Sequence, residues 1–572
     1  MTTEHADDKT MAAERASRLE AILSSGAAKK VIVAGPGTGK SFTFKQVMGR
    51  VDGEVLVLSF LGNLVRDLQN DLGDRASVRT FHSYSRGLLH NMDVAGITRG
   101  VDYFPNLASI LDTDVRLLRD DVPERGIEAA LMNLDDSRGI ASSALRIGDY
   151  YNAVGHTDAV YRVYRALEAN PNRIPKVAQL LVDEYQDFSL LEASLIGLLA
   201  ETNPTIIAGD DDQALYGFKH ASADYLRDVV GSGNWARFEL PYCTRCTQVL
   251  VDATHRVVNR AQAIALLAGR IDKQYICYLP EKREASLQHP KIIHARCTVE
   301  RNPSPYMCNY VTEQIRQINA NDIATSHAAG HPTVLIVAPP QFAKRIHSHL
   351  ANEGVPNLSF GMNLPIDSGL IDGYRRLIFD ERSRLGWRLV LQAVRPHNWD
   401  STVRQALLEE EDLVDLLPED FVELHLEIAD LLRRLLQGEV LDDTDVARVE
   451  AATGLVMAAI MERLELLDPD VQPSRIDDAP TVAITSLLGA KGLQAEHVFV
   501  MGLNDQHFPR DNSNPTEDEV CALLVALTRA RKSCTLVSCD RFGAQSLAQS
   551  VFIAWLAPLI ETIRINAAYF RR

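Results

Sequence analysis

The chain has 572 residues, 46% of them hydrophobic, 24% charged and 6% aromatic, with a net charge of −17. That length exceeds one hydrophobic core and implies three or four domains at roughly 150 residues each, in an ordinary globular composition. The acidic balance excludes a histone-like or coat-like nucleic-acid binder with a wholly basic surface, but not a protein that grips a strand in a local channel.

No apolar run approaches the roughly 18 residues needed to span a bilayer, so no membrane partner is expected. The first residues are polar and acidic, unlike a secretory signal, and eight cysteines are too few for a disulfide framework in a chain this long. Both features make the cytoplasm the expected location.

Residues 1–27 read as a polar lead-in with one helical stretch, Met11–Leu23. Lys30–Ala34 is a short apolar strand, and Ala34-Gly35-Pro36-Gly37-Thr38-Gly39-Lys40-Ser41 follows it and opens a helix. Glycines let backbone N–H groups curl around phosphate oxygens, and a helix N-terminus adds partial positive charge. Lys40 can reach the β- and γ-phosphates, and the Ser41 hydroxyl can hold Mg²⁺. Ala34 stands where this pattern usually has glycine.

Val55–Phe60 is a continuous apolar strand, and Tyr84–Lys176 is mostly helical in pattern. Gln179–Val182 is an apolar strand ending in Asp183 and Glu184. Adjacent acids at a strand tip suit metal binding and water activation, so Asp183 is assigned to Mg²⁺ and Glu184 to the water. Thr205–Ala208 ends in Gly209-Asp210-Asp211-Asp212-Gln213, where Gln213 can sense a γ-phosphate through its amide. Tyr216, Phe218 and Lys219 follow; they are either a base-stacking platform with a phosphate contact or ordinary core rings beside a charge.

A second series of strands is read at Thr333–Ala338, Thr481–Ile484, His497–Met501 and Cys534–Ser538, interrupted by a helical block at Ile371–Asp468. Strands that end in glycine or carboxylates and pass into helices indicate parallel α/β sheets. Cys243-x-x-Cys246, with Cys277, Cys297 and Cys308 further on, is either half of a metal site or a set of small buried residues.

The order GPGTGKS, VDEYQD, GDDDQALYGFK, GAKGL and VALTRAR resembles the superfamily 1A DNA helicases of the UvrD/Rep/PcrA type, from about Ile32 to Lys532. The resemblance implies two RecA-like P-loop NTPase cores, 1A and 2A, each with a parallel sheet and a helical insertion, 1B or 2B. The corresponding boundaries are 1–83 and 177–238 for 1A, 84–176 for 1B, 239–370 and 478–572 for 2A, and 371–477 for 2B. It implies ATP and Mg²⁺ as cofactors and movement on single-stranded or tailed DNA, 3′ to 5′, with duplex unwinding. Phe60, Asn63 and His82 fall in segments that contact the strand in that family, and Phe218 falls where a stacking tryptophan often stands. Arg245 and Arg529 align with two arginines that reach the γ-phosphate from the second core, joining Glu184 and Gln213 as catalytic candidates.

The chain departs from the pattern around the base. Residues 10–30 carry no glutamine segment of the kind that reads adenine, Thr244 replaces a stacking tyrosine, Gln494 replaces a glutamate and Leu488 a histidine. Weakened base discrimination is the expectation. DNA repair, replication restart and defence against foreign DNA are the expected settings. The alternative is a DNA-stimulated ATPase serving a separate partner such as a nuclease, since about 40 residues follow the last motif.

Overall fold

The computed structural model describes residues 2–59, 76–91, 101–215, 217, 220–360, 369–465 and 480–571. The chain divides into two compact units. One comprises Met1–Phe81, Ile174–Met362 and Arg475–Arg572, the other His82–Arg173 and Asn363–Ser474.

Among the described residues, the first unit holds two large parallel sheets and two small ones. Its N-terminal sheet contains β1 (Lys29–Ala34), β2 (Val55–Ser59), β3 (Ala76–Thr80), β4 (Gln179–Val182), β5 (Thr205–Gly209) and β6 (Ala236–Leu240), in the order β3-β2-β4-β5-β1-β6. Every pairing is parallel, with Val33 opposite Gly209 and Val182 opposite Ile207. β5 therefore lies between the strand that leads into the glycine-rich loop and the strand that ends in Asp183. One face is covered by Phe44 and Val47 of the helix Lys40–Met48 and by Ile22 of the lead-in helix, packed on Ile32, Val57 and Leu181, and the alternate residues Val31, Val33, Leu56 and Leu180 are buried as well, so the inner strands are apolar on both faces.

The C-terminal sheet contains β7 (Ile292–Cys297), β8 (Val334–Val337), β9 (Asn357–Phe360), β10 (Val482–Thr485), β11 (Ala495–Met501), β12 (Ala530–Cys539) and β13 (Ile560–Ile565). Their order is β9-β10-β8-β11-β12-β7-β13, again parallel throughout. Separate apolar clusters cover its two faces, one with Leu250, Val257 and Leu524, the other with Phe342, Ile346 and Val311. Two parallel sheets, each enclosed by helices, are two RecA-like cores.

The second unit is helical. Leu107–Leu118 turns Leu107, Ile110, Leu111 and Val115 inward at helical spacing. Ser383 caps the helix Arg384–Val394 by accepting from the Gly386 N–H at 3.1 Å. The unit's two chain segments are joined by a fully buried ion pair, Arg388 Nη2 to Asp114 Oδ1 at 2.6 Å, and Tyr151 donates to Asp114 Oδ2 at 2.6 Å. No helix among the described residues is long and apolar enough to cross a membrane.

Candidate active site

Ligands of open α/β sheets bind outside the C-terminal ends of the strands, and the chemistry-bearing turns of the first core lie there. β1 passes through Gly35–Gly39 into the helix Lys40–Met48. Gly37 has φ 70°, and a Cβ there would lie 2.4 Å from Cβ of Arg245, so both conformation and close approach require glycine. Thr38 Oγ1 donates to the Gly35 carbonyl at 2.8 Å and closes the loop.

β4 delivers Asp183 and Glu184 to the same end. Glu184 has φ 54°, a left-handed conformation sparsely populated outside glycine and concentrated at functional turns. Its N–H donates to Asp183 Oδ1 at 2.9 Å, and Lys40 Nζ lies 2.8 Å from Glu184 Oε1 and 3.8 Å from Asp183 Oδ1. Gln186 donates to Glu184 Oε2 at 2.6 Å and accepts from the Asp210 N–H at 2.9 Å, tying the β4 turn to the β5 turn.

Lys491, Gln213, Arg245 and Arg529 complete the arrangement. Lys491 Nζ, from the second core, is 2.5 Å from Asp187 and 3.9 Å from Glu184, and donates to the Gln213 carbonyl. Gln213 donates to Asp210 Oδ2 at 2.8 Å and accepts from Arg529 Nη2 at 2.8 Å, a bond between the cores. Arg245 Nη1 donates to the Thr528 carbonyl at 3.3 Å, while its buried Nε has no hydrogen-bond partner. Lys40, Ser41, Asp183, Glu184, Gln213, Arg245 and Arg529 line one cleft of about 200 Å³, with Phe42, Thr244, Gln494 and Arg531 also on its wall. Four cations face two carboxylates in that lining, a charge balance suited to a polyanion.

Burial pushes the Asp183 carboxyl up to about 6, against the pull of Lys40. Burial also acts to raise Glu184, but the ammonium groups of Lys40 and Lys491 outweigh it and hold that carboxyl below the usual range. Burial, reinforced by Arg245, lowers the Arg529 guanidinium to about 10, so it stays charged at neutral pH.

The cleft gathers Glu184, Gln213, Arg245, Arg529, Lys40, Ser41 and Asp183. Ala34 is buried at the end of β1, and Gly35 and Pro36 continue toward the cleft. His82 lies in the helical unit, its ring centroid 4.4 Å from that of His156. Phe60, Asn63, Tyr216, Phe218 and Lys219 lie outside the described residues. Cys243 donates through Sγ to the Pro36 carbonyl at 3.3 Å and accepts from the Cys246 N–H, and all eight cysteines are free thiols.

Sequence reasoning missed Lys491, although GAKGL contains it, because its partners lie some 300 positions away. It also missed Lys273, whose Nζ is 2.6, 2.5 and 3.0 Å from Asp210, Asp211 and Asp212. Those three acids are close enough together to hold a metal ion, but the buried Lys273 ammonium, with Arg227 on Asp211 and Arg270 on Asp212, already balances their charge.

Two of the residues that depart from the base-reading pattern are engaged elsewhere. Thr244 donates its N–H and its hydroxyl to the Gly37 carbonyl, at 2.9 and 3.1 Å. Gln494 accepts from Arg531 at 3.4 Å. The lead-in helix, Thr2–Ser24, is longer than its sequence pattern suggests. It pairs with both cores, Glu20 with Arg50 at 2.7 Å and Asp8 with Arg283 at 2.6 Å.

A P-loop in one RecA-like core, facing arginines supplied by a second, defines a two-core P-loop NTPase. The UvrD/REP helicase N-terminal domain matches residues 140–230, and the UvrD-like helicase C-terminal domain matches residues 427–541. The chain is 23% identical to DNA helicase II of Salmonella typhimurium, over 95% of this chain and 87% of that protein. It is 23% identical to a probable DNA helicase II homolog of Mycoplasma capricolum, over 66% of this chain and 58% of that protein. It is 25% identical to the ATP-dependent DNA helicase UvrD2 of Mycobacterium bovis, over 66% of this chain and 50% of that protein. The chain thus spans between half and three fifths of the length of the last two relatives. The chain is thus similar, at both matched domains and along these relatives, to superfamily 1 helicases of the UvrD/Rep type. Helicases of this type bind DNA and use ATP, generally with Mg²⁺.

Proposed function

We propose that this chain is an ATP-driven DNA helicase or translocase that moves 3′ to 5′ on single-stranded DNA and separates duplex ahead of it. One observation carries the reading: Lys40, Asp183 and Glu184 of the first core and Arg245 and Arg529 of the second line a single cleft.

The loop N–H groups and the helix N-terminus cradle the phosphates. Lys40 exchanges its bond to Glu184 for phosphate oxygens, which frees the ionised Glu184 to orient the attacking water. Ser41 and Asp183, a hydroxyl and a carboxylate, form the hard-oxygen donor set that suits Mg²⁺. Bound there, the ion would supply positive charge to the β- and γ-phosphate oxygens. Arg245, with a buried Nε that lacks an acceptor, and Arg529 neutralise charge on the transferring phosphoryl group. Because these arginines come from the second core, the closed arrangement depends on the γ-phosphate, and hydrolysis relaxes it. Gln213, bonded to Arg529, carries that change toward the Tyr216–Lys219 segment, which with Phe60, Asn63 and His82 contacts the strand.

The cellular setting is DNA repair or defence against foreign DNA. Strand displacement on duplexes with a 3′ or a 5′ single-stranded tail tests the reading. Unwinding of the 3′-tailed substrate alone is expected, and unwinding of the 5′-tailed one alone reverses the polarity. DNA-stimulated hydrolysis without displacement on either substrate supports a motor subunit serving a separate nuclease instead.

A further inference from the structure

Cys243 and Cys246 flank Arg245 in the chain, and the phosphate chemistry uses neither thiol. Cys243 ends the short strand Tyr242–Cys243, which pairs with Ile276–Cys277. Its Sγ donates to the Pro36 carbonyl of the glycine-rich loop at 3.3 Å and accepts from the Cys246 N–H at 3.3 Å. Cys246 Sγ donates to the Thr528 carbonyl at 3.7 Å, the acceptor that Arg245 Nη1 also uses. The Tyr275 hydroxyl stands against both sulfurs, 3.2 Å from Cys243 Sγ and 3.6 Å from Cys246 Sγ. Among the described residues the two belong to no cluster of three potential metal ligands, so the chemistry open to them is that of a thiol pair.

Both thiols are buried, yet each is one residue away from open space. Thr244 and Arg245, which lie between them in the chain, line the phosphate cleft. Pro36, Tyr275 and Thr528, which the sulfurs touch, line a neighbouring cavity of about 410 Å³. The pair thus occupies the wall between cleft and cavity, within reach of a molecule as small as hydrogen peroxide. Burial acts to raise the Cys243 thiol, but hydrogen bonds with Cys246 and Tyr275 outweigh it and lower that thiol below its ordinary value. The bond with Cys243 and burial both raise Cys246. One sulfur is therefore the nucleophile and the other its protonated partner, the division that Cys-x-x-Cys thiol chemistry uses.

We propose that Cys243 and Cys246 are a peroxide-oxidised pair whose disulfide disables the phosphate cleft. The Cys243 thiolate attacks one peroxide oxygen: an S–O bond forms, the O–O bond breaks, and the departing hydroxide takes the proton that the thiol released. The Cys246 sulfur then attacks the sulfenic sulfur: the S–S bond forms, the S–O bond breaks, and hydroxide leaves with the Cys246 proton as a second water. The two sulfurs lose two electrons, and the peroxide gains them. The bridge brings the sulfurs to about 2 Å from each other, which takes Cys243 off the Pro36 carbonyl and Cys246 off the Thr528 carbonyl. Thr244 and Arg245 are then held inside the closed ring. Thr244 is bonded to the Gly37 carbonyl, and Arg245 lies so close that even a Cβ on Gly37 would not fit, so the shift passes to the phosphate loop and the arginine together. This consequence rests on the reading of the cleft as a nucleoside triphosphate site, whereas formation of the bridge does not.

The test treats the full chain with hydrogen peroxide, blocks the remaining thiols with iodoacetamide, and maps disulfides by peptide mass spectrometry. The rate of ATP hydrolysis with single-stranded DNA is read on the same samples. A Cys243–Cys246 disulfide is expected, and because a displacement of about 1 Å is worth up to about a hundredfold, hydrolysis should fall by about 10- to 100-fold. Dithiothreitol is expected to restore it. In Cys246→Ser the second sulfur is missing, so Cys243 should stop at the sulfenic acid, which dimedone captures. A peroxide-treated wild type without the bridge overturns the inference, as does a Cys243–Cys277 bridge in its place. A bridged protein that hydrolyses ATP at the untreated rate, or a loss that dithiothreitol does not reverse, also overturns it. A reduced wild type that hydrolyses no ATP overturns the reading of the cleft instead, and the disulfide map still decides the pair.

Discussion

The bond between Gln213 and Arg529 links the two cores at the cleft, and its loss has a calculable cost. Arg529 Nη2 lies 2.8 Å from Gln213 Oε1, and both side chains are buried. A hydrogen bond to a charged group is worth about 1.5–3 kcal/mol, or about 10- to 150-fold. Gln213→Ala removes that bond but leaves the guanidinium held by the Val525 and Leu493 carbonyls. Its expected effect is a fall in kcat of about 10- to 150-fold. Arg529→Ala removes the charge itself, and arginines in this role contribute about 10³–10⁵ in kcat. If Gln213 acts through Arg529, the double variant is no slower than Arg529→Ala alone, and the coupling equals the whole effect of the glutamine. The assay is steady-state ATP hydrolysis at saturating single-stranded DNA, with thermal melting as a control for folding. Multiplicative losses in the double variant, or a kcat within tenfold of wild type in Arg529→Ala, would refute the reasoning.

Three further outcomes follow from the geometry. Arg388→Ala leaves Asp114 charged and fully buried with Tyr151 as its remaining donor, and should destabilise the helical unit by about 3–5 kcal/mol in urea unfolding. A paired replacement by apolar residues of similar volume should recover most of that loss. Gly37→Ala places a methyl group 2.4 Å from the Cβ of Arg245 in a backbone with φ 70° and should abolish detectable nucleotide binding in titration calorimetry. Burial holds His294 and His425 near 4, below their ordinary 6.5. The unfolded chain therefore binds more protons, and stability present above pH 6.5 is lost as pH falls toward 4, by up to about 3 kcal/mol for each histidine. His294→Asn should flatten its share of that slope in melting curves recorded across this range.

Which strands were legible in the sequence follows from where they sit. β1, β2, β4, β5, β8, β10, β11 and β12 are inner strands, covered on both faces, and read as apolar runs. β3, β6, β9 and β13 are the four sheet edges. Their residues, such as ASVRT and IETIRI, mix polar and apolar types because one side is less covered. β7 is the inner exception, its pattern broken by His294 and Arg296. His294 is satisfied by hydroxyls on the neighbouring strands, Ser538 at 2.9 Å and Thr562 at 3.2 Å, which no local pattern can announce.

The phosphate loop and the acid pair are local motifs, so their chemistry was legible before their positions. The ammonium groups that pair with Asp187 and with Asp210–Asp212 were not. Lys273 and Lys491 act on carboxylates far away in the chain, and only the folded arrangement pairs them. The lead-in helix shows the same limit. Its length reflects partners such as Arg50 and Arg283, which the residue pattern of Met11–Leu23 does not contain.

The central claim is that one cleft between two cores hydrolyses ATP in response to DNA. Its most direct test is the ATP hydrolysis rate with and without single-stranded DNA, for the wild type beside Lys40→Ala and Glu184→Gln. Strong stimulation by DNA in the wild type is expected, with Lys40→Ala losing nucleotide binding and Glu184→Gln binding ATP but turning it over at least about a hundredfold more slowly. Wild-type rates in both variants, or a wild-type rate indifferent to DNA, would contradict the account.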